Sequence, residues 1–274
     1  MRETTSGSPE TRRYDANYGN FELDLYRDIR REAYGDEFGQ NSWLTADEFR
    51  KFLEWLELYP NSQLLDIACG AGGPAMRAAE VSGCQITGID LHEKAIVAAN
   101  KSAIERGISD RAKFKVINAG EPLPFSDGAF DAVLCIDAIN HIPDRHCVLS
   151  DWQRVLKPKR RILFTDPIVV TGPLTDAEMK IRSRSGFYIF VPEGYNERVL
   201  GENGFLVLRK EDLTQNMAEI AERRRAARAS RETELRRIEG DSGYEDQQEF
   251  LTIAALTASE KRLSRFAFLA EKRN

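Results

Sequence analysis

The sequence has little that would place the chain in a membrane or staple it with disulfides. No apolar run approaches the roughly 20 residues that span a bilayer. The stretch Met1–Arg13 is polar and has no apolar signal core; we expect it to be a disordered lead-in, and the protein to be cytoplasmic and off the membrane. Four cysteines occur among 274 residues (Cys69, Cys84, Cys135 and Cys147), with no CxxC pairing. Three lie in or beside apolar runs, which predicts buried reduced thiols. There are three histidines, and no Cys/His cluster has metal-ligand spacing, so no metal is expected. Basic charge is not in excess: 39 Lys and Arg stand against 44 Asp and Glu, a net charge of −5. That balance argues against a non-specific nucleic-acid binder. One basic run, Arg223–Arg231, is interleaved with Glu219, Glu222, Glu232 and Glu234 at helical spacing. It reads as a solvated, ion-paired helix. No internal repeat is visible.

What the chain does have is enough apolar content, 42%, for one sizeable core. Residues 14–60 carry aromatic and charged side chains at helical spacing, and Thr45 with Glu48 forms a capping-box pattern before the second helix. From Gln63 short apolar runs alternate with helical stretches. The expected strands are Gln63–Ile67, Gln85–Ile89, Lys113–Asn118, Ala129–Ile136, Arg160–Thr165, Phe205–Arg209 and Leu263–Glu271. This alternation argues for an α/β fold with a mostly parallel, doubly wound sheet. Between the strands, helices are expected at Gly73–Val81, Glu93–Arg106 and His146–Leu156. Later in the chain they are expected near Glu193–Leu200, as one long charged helix over Asp212–Glu239, and at Tyr244 to about Ala258. The reading is a disordered 1–13, an N-terminal helical cap at 14–60, and one catalytic domain over 61–274 whose 167–204 insertion acts as a lid.

The most informative stretch is Leu64–Gly73, LLDIACGAGG, followed by Ile86–Asp90, ITGID. Gly70 and Gly72 allow a tight turn and close approach of a ligand to the backbone. The helix that follows presents free N–H groups. Asp90 closes the second apolar run, where a carboxylate accepts hydrogen bonds from ribose hydroxyls. Gly70-x-Gly72-x-x-Ala75 also fits a dinucleotide site. Asp66, four residues before Gly70, argues otherwise, since a carboxylate there repels a pyrophosphate and can face a cation.

Taken with EPLPF at 121–125, FDAVLCIDAINHI at 130–142 and VLKPKRRILFTD at 155–166, these motifs make the chain resemble class I S-adenosylmethionine-dependent methyltransferases. The resemblance covers roughly residues 60–170. It implies a seven-stranded sheet with the last strand antiparallel and S-adenosyl-L-methionine as cofactor. The methionine part would lie along Asp66, Ala68, Gly70 and Gly72, and the ribose on Asp90. The adenine would sit between Leu91 and the Ala119–Gly120 turn, with Ile136 at the end of the fourth strand. Two positions depart from the family. Ala68 stands where glycine is usual, and Ala119 where an acidic residue often contacts the adenine amine.

Ligands of open α/β sheets bind at the carboxyl ends of the strands. Here Asp137–His141 follows the fourth strand. His141 is suited to accept a proton near neutral pH; His92 and His146 stand at helix starts, where solvent exposure is expected. DAINHI is also similar to the same turn of phosphoethanolamine and related small-amine N-methyltransferases. That second resemblance implies Asp137 on an amine, His141 in proton handling, and an N-terminal Tyr, such as Tyr34, as a catalytic partner. Tyr14, Tyr18 and Tyr26 are the other candidates for closing the cap. The expected function is therefore methylation of a small molecule, N-methylation of an amine before O-methylation of a hydroxylated metabolite. The rivals are an NAD(P)-dependent oxidoreductase, for which no Tyr-x-x-x-Lys pair follows the fourth strand, and a non-catalytic cofactor-fold protein. A homodimer is one option for its assembly.

Overall fold

A computed structural model describes residues 18–184 and 186–273. The expected lead-in 1–13, and Tyr14, lie outside the described residues. The chain opens with two helices, α1 (Asp24–Tyr34) and α2 (Ala46–Leu56). The capping box at α2 forms as read: Thr45 Oγ1 accepts from Glu48 N at 3.2 Å, and Glu48 Oε2 accepts from Thr45 N at 3.0 Å. There follow β1 (Gln63–Ile67), α3 (Gly73–Ser82), β2 (Gln85–Asp90), α4 (Glu93–Glu105), β3 (Ala112–Val116), β4 (Phe130–Cys135), α5 (Arg145–Val155) and β5 (Leu156–Val170). The second half holds α6 (Asp176–Arg182), β6 (Val191–Pro192), α7 (Tyr195–Glu202), β7 (Phe205–Asp212), α8 (Thr214–Ala229), α9 (Glu232–Ser259) and β8 (Leu263–Lys272).

The sheet runs β3-β2-β1-β4-β5-β8-β7, with the two-residue β6 beside β5. β1 to β5 pair in parallel, and β8 is antiparallel to both β5 and β7. This is the mostly parallel α/β sheet with an antiparallel last strand that the motifs implied; β6 adds an eighth strand. The central strands β1, β4 and β8 read as continuous apolar runs because both faces are covered, whereas the edge strands β3 and β7 are partly exposed. Side chains alternate accordingly. Leu64, Leu134, Leu163 and Leu269 join a core with α2, α3 and α4. Leu65, Val133, Phe164 and Phe268 join one with α5 and α7. A third cluster ties Tyr34 and Trp43 to α8 and α9 through Met217, Ile220 and Leu251.

Phe114 explains two glycines. A Cβ on Gly72 would lie 2.7 Å from its ring, and one on Gly88 would lie 2.3 Å from it. Gly88→Ala, in the middle of β2, is therefore expected to lower stability by about 1–3 kcal/mol, as overpacked cores do. Denaturant titration measures it; an unchanged midpoint would mean that Phe114 has room to move.

The last third departs from expectation. The single helix anticipated over 212–239 is two, because Arg231 leaves helical geometry between α8 and α9. α9 then runs on through a kink at Gly240, whose φ of 76° is left-handed. β5 is also longer than its apolar stretch: Leu156 pairs with Phe130 of β4, and regular pairing with β4 and β8 resumes at Arg161 after a register shift. Among the described residues no helix is long and apolar enough to cross a membrane.

Candidate functional site

The carboxyl ends of β1, β2 and β4 open on a cavity of about 410 Å³. Its walls include Asp66, Ala68, Gly70, Asp90, Leu91, Ala119, Gly120, Ile136, Asp137 and His141. The sequence-predicted residues are thus brought together, with two exceptions. Gly72 lies just outside as the N-cap of α3, with a φ of 77°. Tyr34 is buried in the helical cluster, its phenol donating to Ser42 O at 2.5 Å, and does not reach the cavity.

The glycine turn forms the floor of one end. Gly70 has a φ of 55°, and a Cβ there would meet Tyr18 Oη at 2.7 Å. Ala68, where glycine is usual in the resembling family, also takes a left-handed φ of 55°, a conformation costing alanine about 1 kcal/mol or more. Asp90 anchors the turn: Oδ2 accepts from Gly70 N at 2.8 Å and Oδ1 from His92 N at 2.9 Å. Each carboxylate oxygen keeps a lone pair for a ligand. Burial raises the Asp90 pKa, opposed by the His92 and Gly70 N–H groups.

Asp66, 3% exposed at the end of β1, has no such donors among the described residues. Burial, and secondarily the charge of Asp90, push its carboxyl up to about 8. Two carboxyls in one dry pocket resist ionising together, and Asp66 is the one that keeps its proton. This end of the cavity therefore suits a cation and a diol, with Leu91, Ile117 and Ala119 beside it for an apolar ring. Asn118 Oδ1 is committed to Gly120 N at 2.9 Å, so it does not replace the acidic residue missing at Ala119.

The other end is built differently. His141 sits in a short 3-10 turn after β4, and its Nδ1 lies 3.0 Å from Phe187 O. A carbonyl only accepts, so Nδ1 carries the hydrogen and Nε2 is the basic nitrogen. The ring packs edge-on against Tyr188 at 4.3 Å. Burial, with a further push from the Arg182 charge, lowers its pKa to about 4, so it is neutral at physiological pH. The irregular stretch at 187–189 is strapped on by a second bond, Ile189 N to Asn140 O at 2.8 Å.

Asp137 lines the cavity, but its carboxylate is already engaged by the protein. Its carboxylate accepts from Arg265 Nε at 2.7 Å, Thr165 Oγ1 at 2.7 Å and Trp43 N at 2.9 Å. Arg265, fully buried, also reaches Glu48 at 2.9 and 3.0 Å. Asp137 is thus the tie between the segment before α2, the end of β4 and β8. Its partner Arg265 lies far along the chain, which no local pattern could reveal.

Several wall residues escaped the sequence reading. His92, expected in solvent, lines the cavity beside Tyr18, their rings 6.0 Å apart. Asn140 is fully buried in the wall, and neither amide atom has a hydrogen-bond partner among the described residues. Arg224, Trp43 and Phe250 come from three separate segments, and Arg182, which the sequence offers as a candidate for an anion, comes from a fourth. Trp43 lies under both guanidiniums, 5.7 Å from Arg182 and 5.6 Å from Arg224, and Phe250 lies 4.7 Å from Arg182. Among the described residues no group of three or more His, Cys, Asp or Glu side chains is placed to hold a metal ion.

A family model described as a methyltransferase domain matches residues 58–189. The chain is 31% identical over 204 residues to the 27-O-demethylrifamycin SV methyltransferase of Amycolatopsis mediterranei, covering 70% of this chain and 75% of that protein. It is 29% identical over 196 residues to the sarcosine/dimethylglycine N-methyltransferase of Halorhodospira halochloris, covering 69% and 70%. Its fold is similar to that of phosphoethanolamine N-methyltransferase 2 of Haemonchus contortus, solved in complex with S-adenosyl-L-methionine. The TM-score is 0.78 at 23% identity, over 94% of this chain and 60% of that one.

Proposed function

The chain belongs to the S-adenosylmethionine-dependent methyltransferases, and from that footing we propose that it methylates an oxygen of a hydroxylated small molecule, with His141 taking the proton. The cofactor fits the residues present: a glycine cradle that a Cβ at Gly70 would fill, a buried carboxyl at Asp66 with no donor of its own, and an anchored Asp90. On this reading Asp66, Ala68, Gly70 and Gly72 lie along the methionine part. Asp90 holds the ribose, and Leu91, Ala119, Gly120 and Ile136 flank the adenine. The described part of 14–60 caps the cofactor end, with Tyr18 rather than Tyr34 over the glycine turn, and 167–204 is the lid of the acceptor end. When bound, the cofactor supplies an electron-poor methyl carbon.

The observation that favours oxygen over nitrogen is the charge of the acceptor end. An amine acceptor was anticipated on Asp137, but that carboxylate is occupied by Arg265, Thr165 and Trp43. The aromatic faces of Trp43 and Phe250, which could hold an ammonium, already carry guanidiniums. Among the other groups that line this end are the neutral His141 imidazole, the Asn140 amide and the Tyr188 ring. That amide can orient a hydroxyl by donating and accepting at once. A base near 4 is sufficient, because an oxygen that has gained a methyl while keeping its proton is far more acidic than an imidazolium. The similarity to a methyltransferase named for an O-demethyl substrate supports the same reading. Release of S-adenosylhomocysteine, followed for matched pairs of hydroxylated and amino acceptors on one carbon skeleton, tests it. Turnover is expected with the hydroxyl member; turnover confined to amines would overturn it.

Asp66 gives cofactor binding a pH dependence. Its folded pKa of about 8 means that a cation binding beside it displaces a proton below that pH. Affinity is expected to rise with pH, by up to about tenfold per unit approaching pH 8, and to level off above. Asp66→Asn should flatten the profile. The same shift makes the ligand-free protein lose stability as pH rises from the ordinary carboxyl range towards 8, since ionising Asp66 is costly there. Calorimetric titration in buffers of different ionisation heat reads the released proton directly. No proton release on binding would mean that Asp66 is already ionised.

A further inference from the structure

The cavity at the carboxyl ends of the strands measures about 410 Å³. Pockets that enclose a molecule of drug size run from about 300 to about 1,000 Å³, and the cofactor is a molecule of that size. With it seated, the first cavity has room for the reacting group of an acceptor and little more. A second cavity of about 270 Å³ adjoins the first, walled by α1, α8 and α9. The two share Asn41, Arg224 and Gln247, and the second includes none of the glycine turn, nor Asp66 or Asp90. Arg224 stands 5.6 Å from the Trp43 ring, which puts the junction at the acceptor end. A space of this size falls below the range for a whole ligand and suits one part of a longer molecule.

The charges around the second cavity are matched within the protein. Arg228, 5% exposed, holds Glu239 through both terminal nitrogens, at 3.1 and 2.6 Å, and the Tyr26 phenol donates to the same carboxylate at 2.7 Å. Arg30 pairs with Glu37 at 2.8 Å. Arg224 faces Trp43, whose backbone N–H donates to Asp137. Asp137 shares Arg265 with Glu48, two carboxylates to one guanidinium, and that surplus offsets Arg224. Arg182 lines the first cavity and not the second. Charge therefore gives the occupant no sign. What the wall does offer is hydrogen bonding. The Nε of Arg228 is buried and has no partner among the described residues, a state that costs about 1–3 kcal/mol for a buried donor. The Glu239 oxygens keep lone pairs, and the Gln247 amide both donates and accepts. Phe21, Ile29 and Ile238 supply apolar surface between these groups.

Resting on the oxygen-transfer reading, we propose that the second cavity is a distal acceptor subsite that takes an uncharged, polyhydroxylated substituent of sugar type. A hydroxyl both donates and accepts, so a row of them can meet the Arg228 Nε–H, the Glu239 lone pairs and the Gln247 amide together. The carbon skeleton of such a ring lies against the apolar side chains. The acceptor is thus an extended molecule, its reacting oxygen beside His141 and its polyol part beyond the Asn41–Arg224–Gln247 junction.

The test uses the full chain saturated with S-adenosylhomocysteine, so that only the acceptor spaces are open. Three phenols with the same reacting end are compared by calorimetry: hydroquinone, its mono-β-glucoside, and 4-hexyloxyphenol. The glucoside is expected to bind at least about tenfold tighter than either of the others. Gly243→Leu, which fills the second cavity from α9, and Gln247→Leu, which removes the amide at the junction, should each cut that advantage by about fivefold or more. S-adenosylhomocysteine affinity, measured in parallel, reports that the variants are folded. No binding of the glucoside, equal binding of glucoside and hydroquinone, or tighter binding of the hexyl ether would overturn the proposal. So would an advantage that survives both substitutions, or a loss of S-adenosylhomocysteine affinity confined to Gly243→Leu and Gln247→Leu, which would assign the space to the cofactor. Methyl transfer to hydroquinone with no gain from the glucose would remove this inference and leave the oxygen-transfer reading standing. Gln247-dependent glucoside binding without oxygen methylation would do the reverse.

Discussion

Asp90→Ala is expected to weaken S-adenosylmethionine binding by about a hundredfold or more. The carboxylate would accept from two ribose hydroxyls, and charge-assisted hydrogen bonds contribute about 1.5–3 kcal/mol each. Two of them correspond to about two to four powers of ten in affinity. The same side chain also holds Gly70 N and His92 N, so part of the loss would come from a loosened turn. A cycle with the cofactor separates the contributions. The wild type should lose affinity for 2′-deoxy-S-adenosylhomocysteine relative to the parent compound, and the Asp90→Ala variant should lose little further on the same change. Additive losses would mean that Asp90 serves the turn and not the ribose.

His141→Ala is expected to lower turnover by about a hundred- to ten-thousandfold, the range associated with a positioned base, with cofactor affinity unchanged. The pH profile gives a second readout that a packing role would not move. With Nδ1 tied to Phe187 O, and burial holding the ring down near 4, the base is lost only as pH falls through about 4. At saturating substrate, turnover should therefore stay level from neutral pH down to about 5. A limb near the ordinary histidine value would place His141 in a wetter setting than its contact with Tyr188 describes. Turnover retained in the variant would assign the residue to structure alone.

How much of this was legible in the sequence follows from distance along the chain. The turn at Ile67–Gly73, β2 and Asp90 form one local unit, and apolar runs, two glycines and a terminal carboxylate specify it without help. The two sheet faces were equally readable, because strands buried on both sides have to be continuously apolar. The acceptor end was readable only in the turn after β4, where the sequence reading put Asp137 and His141. Asn140 and His141 come from the turn after β4, Trp43 from the lead into α2, Arg182 from the end of α6, Arg224 from α8 and Phe250 from α9. No spacing rule connects segments that meet only in three dimensions. Asp137 is the instructive case. Its place after β4 predicts a contact with the acceptor, yet a buried arginine 128 residues away claims the carboxylate. The basic run at 223–231 shows the converse. Its helical Glu spacing holds for Arg223 with Glu219 and Arg225 with Glu222, but Arg228, which is buried, and Arg231 pair with Glu239 and Glu32 of other helices, and only the fold shows that Arg224 lines the cavity.

The central claim is that methyl leaves the acidic, glycine-lined end of the cavity for an oxygen at its His141 end. The most direct measurement is transfer from methyl-13C S-adenosylmethionine to bifunctional acceptors carrying one hydroxyl and one amine, with the product read by carbon–proton NMR. The label is expected on the oxygen that becomes an ether. Label on the nitrogen would contradict the account.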